Sequence, residues 1–438
     1  MRHSVLHDKM NLGTNISRWS FFLGAILLFA LFTGWFMGVG KWVGQAVEHN
    51  AGPVAEKPLP FILSCDYLLK GGTVVDGSGG PSFVGDIAIK GDKILAVGRF
   101  HVLNPAKTID VTGKIVAPGF IDLHTHTEQY WKTSPAGKMT LAQGITTHIG
   151  GNCGTSVDSV GDYLQTIEKK GSAINVGMFT GYTKIRRAAG VADNGTTNAA
   201  QLAKMQALLK KSIEEGSFGM SAGLGYFPQN RATIDEMKGL AKTMAAKNAL
   251  FAMHIRNEEN TVLESVAEAI EIAKTTGVRF QYSHVKAAGK NNWGKPDTIL
   301  KMLEKAQADG VNIMADAYAY GFSSNDLHSG SYYSSSEENV KKILQHPMIM
   351  VASDTGLKEK GIAIHPRAYA NATRVLAKYV RDEKAFTIET AVHKMTQMPA
   401  ERLNLHYRGL LMSGYKADIA VFALQDVKEN ATRTQPNQ

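Results

Sequence analysis

The residues best suited to chemistry are four histidines, a cysteine and an aspartate, each at the end of a short apolar run. His124 and His126 close the run Ile115–Leu123. Side chains in a strand alternate with period two, so two imidazoles one residue apart at a strand's end point the same way. Cys153 ends the run from Ile145, and His254 and His284 sit in the runs Ala249–Arg256 and Val278–Lys286. Asp316, Tyr318 and Tyr320 lie in Val311–Tyr320, and Asp354 ends Met348–Asp354. Imidazole, thiolate and carboxylate together suit zinc, which accepts N, S and O donors. Two adjacent sites fit this set, with Cys153 shared or belonging to the tighter one. A zinc-bound water has its pKa lowered toward neutrality and can act as nucleophile. Asp354 could accept that water's proton and pass it to a leaving group. The chemistry implied is hydrolysis of an amide or a similar C–N bond. The other histidines fall in tails, loops and helices and receive no role; His148, inside a run, reads as structural.

Such residues need a frame that brings strand ends together. Eight runs read as strands: 115–126, 145–153, 174–182, 217–226, 249–256, 278–286, 311–320 and 348–354. Amphipathic stretches with helical spacing separate them, at 158–170, 198–215, 234–246, 260–276, 296–309 and 337–344, with further helices at 366–381 and 388–395. Eight strands with intervening helices predict an α/β fold, a (β/α)8 TIM-like barrel whose active face is the C-terminal strand ends. An open doubly wound sheet would need a glycine-rich nucleotide turn after its first strand, and none is present. Short runs broken by Gly71-Gly72, Gly77–Gly80 and Gly91 precede the barrel, and a matching piece recurs at 417–423. They predict a small β-sandwich built from both chain ends. The expected division is residues 1–43 as tail and membrane anchor or signal, 44–63 as linker, 64–114 with 405–425 as the β domain, 115–404 as the barrel and 426–438 as a tail.

The chain has 438 residues, 44% hydrophobic, with a net charge of +9. No dense Lys/Arg block with interleaved aromatics occurs, which argues against a nucleic-acid partner. Residues 19–40 carry no charge and are long enough to span a bilayer as a helix. Arg2, Lys9 and Arg18 precede this stretch, which predicts a catalytic domain on the non-cytoplasmic side, periplasmic or extracellular. A signal cleaved near Ala46 is the alternative, giving a secreted protein. With only Cys65 and Cys153, no disulfide framework exists, and Cys153 needs another explanation.

The motifs resemble those of the metal-dependent amidohydrolases, and among them the D-aminoacylases (N-acyl-D-amino-acid deacylases). They are Gly119-Phe120-Ile121-Asp122-Leu123-His124-Thr125-His126, Gly151-Asn152-Cys153-Gly154, Gly219–Leu224, His254-Ile255-Arg256, Ser283-His284-Val285-Lys286, Asp316–Tyr320, and Ser353-Asp354 with His365-Pro366-Arg367. Many relatives bridge two metals with a carboxylated lysine on strand four, but 217–226 has none, so the cysteine subtype is indicated. The resemblance implies Cys153, His254 and His284 as ligands of one tight zinc. His124, His126 and Asp354 would border a second, weaker site, with Asp354 as acid/base. It further implies that Lys286, Tyr318 and Arg367 bind the free carboxylate of a small N-acyl amino acid. Segment 321–347 is shorter than the family's usual cover, and the chain stops soon after residue 432, before the last β strands expected. The competing readings are an amidohydrolase acting on a cyclic amide or a dipeptide, and an inactive binding protein of the same fold.

Overall fold

The computed structural model describes residues 60–324, 334–357 and 363–437. The predicted anchor at 19–40, the linker up to residue 59 and part of the 321–347 segment lie outside the described residues. Among the described residues no helix is long and apolar enough to cross a membrane.

The barrel is present and closed. Its strands are Phe120–Asp122 with Thr125–His126, Ile145–Gly150, Asn175–Met178 with Thr180–Gly181, Gly219–Gly223, Leu250–His254, Arg279–Tyr282, Ile313–Ala317, and Ile349–Val351 with Thr355–Gly356. Neighbours pair in parallel throughout, and Thr355–Gly356 pairs Thr125–His126 to join the eighth strand to the first. Strand four is all small or flexible residues and fully buried, as a packed barrel interior requires.

Local chemistry explains the helix boundaries. Asn198 and Gln201 form a reciprocal capping box at the start of Ala199–Glu214. Ser159, Thr233, Ser336 and Thr387 cap four other helices through their hydroxyls. Gly277, at φ 68°, ends Val262–Thr276 in the left-handed conformation that glycine adopts without strain. The helix expected at 366–381 is α only over Arg367–Arg374 and continues as a π-helix over Val375–Asp382.

The expected sandwich is instead one six-stranded sheet with apolar residues on both faces. Leu69, Ile87, Ile94 and Val116 belong to one apolar cluster, and Cys65, Leu68, Ala88 and Phe100 to another. Phe61–Val74 is a single long strand that passes through Gly71-Gly72 with a register shift and hydrogen-bonds three partners. The run 115–126, expected as one barrel strand, is divided. Ile115–Pro118 belongs to the small sheet, parallel to Thr73–Val74 and antiparallel to Ile419–Phe422. Pro118 has no N–H to continue a ladder, and the barrel begins at Phe120. The expected C-terminal tail also packs back: the Glu429 carboxylate takes the Arg374 guanidinium in two hydrogen bonds, and Asn437 accepts the Ala363 amide N–H.

Candidate metal centre

Every predicted ligand lies at the C-terminal end of the barrel. His254 is the last residue of its strand; Cys153, His284 and Asp354 follow theirs by two or three residues. Three of these, Cys153 (φ 51°), His284 (φ 41°) and Asp354 (φ 51°), are non-glycine residues in the left-handed region. Such backbone costs roughly 1–3 kcal/mol per residue and persists only where surroundings enforce it.

The loop after strand two shows how that enforcement works. Gly154 (φ 76°) and Gly223 bring the loop against strand four, where the Ser221 hydroxyl accepts the Gly154 N–H. Gln229 accepts the Gly223 N–H through Oε1 and donates through Nε2 to the Cys153 carbonyl at 2.9 Å. A Cβ on Gly154 would lie 1.7 Å from Gln229 Oε1. Asn152 donates to the carbonyls of Leu123, Thr125 and Ile149, tying this loop to the end of strand one.

Cys153 Sγ lies 3.4 Å from His124 Nε2 and 3.5 Å from His284 Nε2, and His254 Nδ1 is 2.9 Å from His284 Nε2. Asp354 Oδ1 is 3.4 Å from His124 Nε2 and 3.1 Å from His126 Nε2. His124, Cys153, His284 and Asp354 present donor atoms all within 4.8 Å of one another, and His254, Glu258 and His284 form a second such group. His284 joins the two. Donors at these separations suit ions bound at the ~2.0–2.3 Å of zinc–nitrogen and zinc–sulfur bonds. Burial opposes a thiolate at Cys153, but His124 above all, with His126 and His254, outweighs it and holds the thiol well below its usual range. Burial likewise opposes charge on Asp354, yet Arg367 and the imidazoles keep it a carboxylate. His126, despite burial, is pushed up to about 10 by Asp354 and Cys153.

Residues given no role from sequence complete the site. Asp316 Oδ1 lies 3.1 Å from His124 Nδ1 and accepts the backbone N–H of His284 at 2.9 Å. Asp122 accepts the N–H groups of His124 and Ser353, while burial pushes its own carboxyl up to about 6. The Tyr226 ring lies against His254, tilted by 39°, with centroids 4.5 Å apart. Glu258 Oε1 lies 3.0 Å from His284 Nδ1. Asp316 was visible at a strand end; Glu258 carried only its spacing, four residues after His254. His148 is buried with its ring edge against Trp131.

The three residues expected to hold a substrate carboxylate do converge. Arg367 lies over the Tyr318 ring at 4.5 Å, and Lys286 Nζ is 5.6 Å from the same ring. Both cations already have partners: Arg367 Nη2 meets Asp354 Oδ2 at 2.8 Å, and Lys286 meets Glu258 at 2.7 Å. Among the described residues, Arg367 Nε and Nη1 and the Tyr318 hydroxyl are buried without hydrogen-bond partners.

Residues 115–437 match the amidohydrolase family. The chain is 32% identical to N-acyl-D-glutamate deacylase of Alcaligenes xylosoxydans xylosoxydans, covering 85% of this chain and 90% of that one. It is 29% identical to D-aminoacylase from the same organism, covering 85% and 91%. Among solved structures, N-acyl-D-glutamate deacylase from Bordetella bronchiseptica, complexed with zinc and a phosphonate inhibitor, superposes with a TM-score of 0.81 at 30% identity, over 86% of this chain and 93% of that one.

Proposed function

The chain belongs to the amidohydrolase family, and from that premise we propose that it hydrolyses the amide bond of N-acyl-D-amino acids, using zinc and releasing a carboxylate and a free D-amino acid. The observation that carries this is Cys153 Sγ within 3.5 Å of His124 Nε2 and His284 Nε2, beside a fourth strand, Gly219–Gly223, that holds no lysine. Cys153, His254 and His284 would hold the tight zinc; His124, His126 and Asp354 would border a second, weaker site. Bound zinc would polarise the scissile carbonyl and make a water nucleophilic at neutral pH.

The protein's own groups do the rest. Asp316 takes the Nδ1 side of His124 and so turns its Nε2 lone pair toward the centre. Asp354, kept ionised, can accept the proton of the attacking water and deliver it to the leaving amine. Lys286 is held by Glu258, so Nε and Nη1 of Arg367 and the Tyr318 hydroxyl, which have no partner among the described residues, are the donors most open to a substrate carboxylate. A carboxylate fixed beside the reacting amide sets the α-carbon's orientation, which is what separates D from L substrates.

The test is metal analysis of the purified protein together with rates on N-acetyl-D- and N-acetyl-L-amino acids. Bound zinc and a strong D preference are expected; faster turnover of a neutral cyclic amide would favour the hydantoin-type alternative. We also propose that residues 19–40 anchor the enzyme in a membrane with the barrel on the non-cytoplasmic side. A high-salt wash screens electrostatic attachment but leaves a spanning helix in place. A soluble form starting near residue 47 would instead indicate a cleaved signal.

A further inference from the structure

His284 faces two demands on its two ring nitrogens. Nε2 points to Cys153 Sγ and His254 Nδ1 and must offer a lone pair there if it is to bind metal. A neutral imidazole carries one proton, so the proton must then sit on Nδ1. Nδ1 has two neighbours of opposite character: Glu258 Oε1 at 3.0 Å, and Lys286 Nζ at 2.9 Å. A carboxylate only accepts, and favours the proton on Nδ1. An ammonium only donates, and would favour the lone pair on Nδ1, which moves the proton to Nε2 and blocks ligation. Glu258 Oε1 also lies 2.7 Å from Lys286 Nζ, so one carboxylate oxygen meets both groups.

We propose that Glu258 is a positioning residue that accepts the His284 Nδ1 proton and pairs with the Lys286 ammonium, outcompeting it at that nitrogen and so fixing the imidazole tautomer needed for metal binding. The inference rests on the metal site proposed above. Glu258 is prepared for the task by its loop. Arg256 pairs with Glu268 on one side, Asn257 caps the N–H groups of Glu259 and Thr261 on the other, and the Glu258 carbonyl accepts the Ala288 N–H from the loop after strand six. The side chains of Glu258 and Lys286 are 12% and 8% exposed, so water cannot readily replace either partner.

The experiment measures zinc affinity by competition with a chromogenic chelator, and the thiolate-to-metal absorption of the cobalt-substituted protein, in E258Q, K286M, E258Q/K286M and C153A. Outer carboxylates on ligand histidines are commonly worth about 10–100-fold in metal affinity, and E258Q is expected to lose that much. Removing the ammonium as well should restore E258Q/K286M to within a few-fold of the parent, because nothing then donates to Nδ1. E258D should recover part of the loss. The proposal is overturned if E258Q keeps parental affinity, or if the double variant binds no better than E258Q. C153A separates this from failure of the site itself: if C153A keeps full metal, the cysteine-centred site is wrong.

Discussion

Asp354 and Arg367 share an ion pair, and their two roles can be separated. Asp354→Asn keeps the shape of the side chain but cannot take a proton. It should retain tightly bound zinc and lose about 10²–10⁴-fold in kcat; near-parental turnover would remove Asp354 from the mechanism. Arg367→Ala frees Asp354 for every substrate, so all rates should fall. Hydrogen bonds to a charged group are worth about 1.5–3 kcal/mol, so an additional loss of roughly 10–100-fold in kcat/KM should appear on the free acid relative to its carboxyamide. Equal losses on both would show that Arg367 does not read the carboxylate. The residues themselves were legible in sequence because period-two spacing and strand ends are written locally. The pairing of Lys286 with Glu258 was not, because it depends on how two loops fold across each other. Nor was the hold of Asp316 on His124, which joins the first and seventh strands.

Among the elements, the loop 151–154 places the thiolate, and its geometry rests on absent side chains. A methyl group on Gly154 would displace Gln229, whose amide holds the Cys153 carbonyl, and would force a second strained φ beside the first. Gly154→Ala should therefore lower stability by about 1–3 kcal/mol and weaken zinc retention, read by thermal unfolding and metal content together; unchanged metal content would show that the loop tolerates the shift. The helices expected from apolar periodicity lie within two residues of their observed bounds, but the short helices Glu128–Thr133, Lys138–Ala142, Tyr182–Ala188 and Gln397–Arg402 were not readable, because one or two turns are too few to show a period. The break in the run 115–126 was not readable. Apolar residues continue across it, and only the pairing with Ile419–Phe422 assigns 115–118 to another sheet.

For the molecule as a whole, pH acts on stability through buried groups away from the metal. His148 is buried beside Trp131, and burial alone pushes its imidazole down to about 3. The unfolded chain takes up this proton near pH 6.5 while the folded one does not, so stability falls as pH drops from about 6.5 toward 3, by up to about 1.4 kcal/mol per unit. His148→Leu should flatten that dependence by the same slope in denaturant titrations between pH 6.5 and 4.5. Identical slopes would assign the acid sensitivity elsewhere. The barrel class was legible from the alternation of eight runs with helices. The single small sheet was not, since its two faces bury apolar residues in a pattern that strand alternation also allows in a sandwich.

The strand Ile419–Phe422 lies directly against Ile115–Pro118, and the chain turns from there at Gly119 into the strand that ends in His124 and His126. That arrangement has a consequence in time. A chain emerging from the ribosome offers His124, His126, Cys153, His254 and His284 long before the strand that clamps the root of the first pair exists. The ligands are available early, but their frame is completed among the last elements made. If the proposed site takes its metal only once that frame is complete, metal choice is expected to follow synthesis of the last strand and not to accompany the emergence of the ligands.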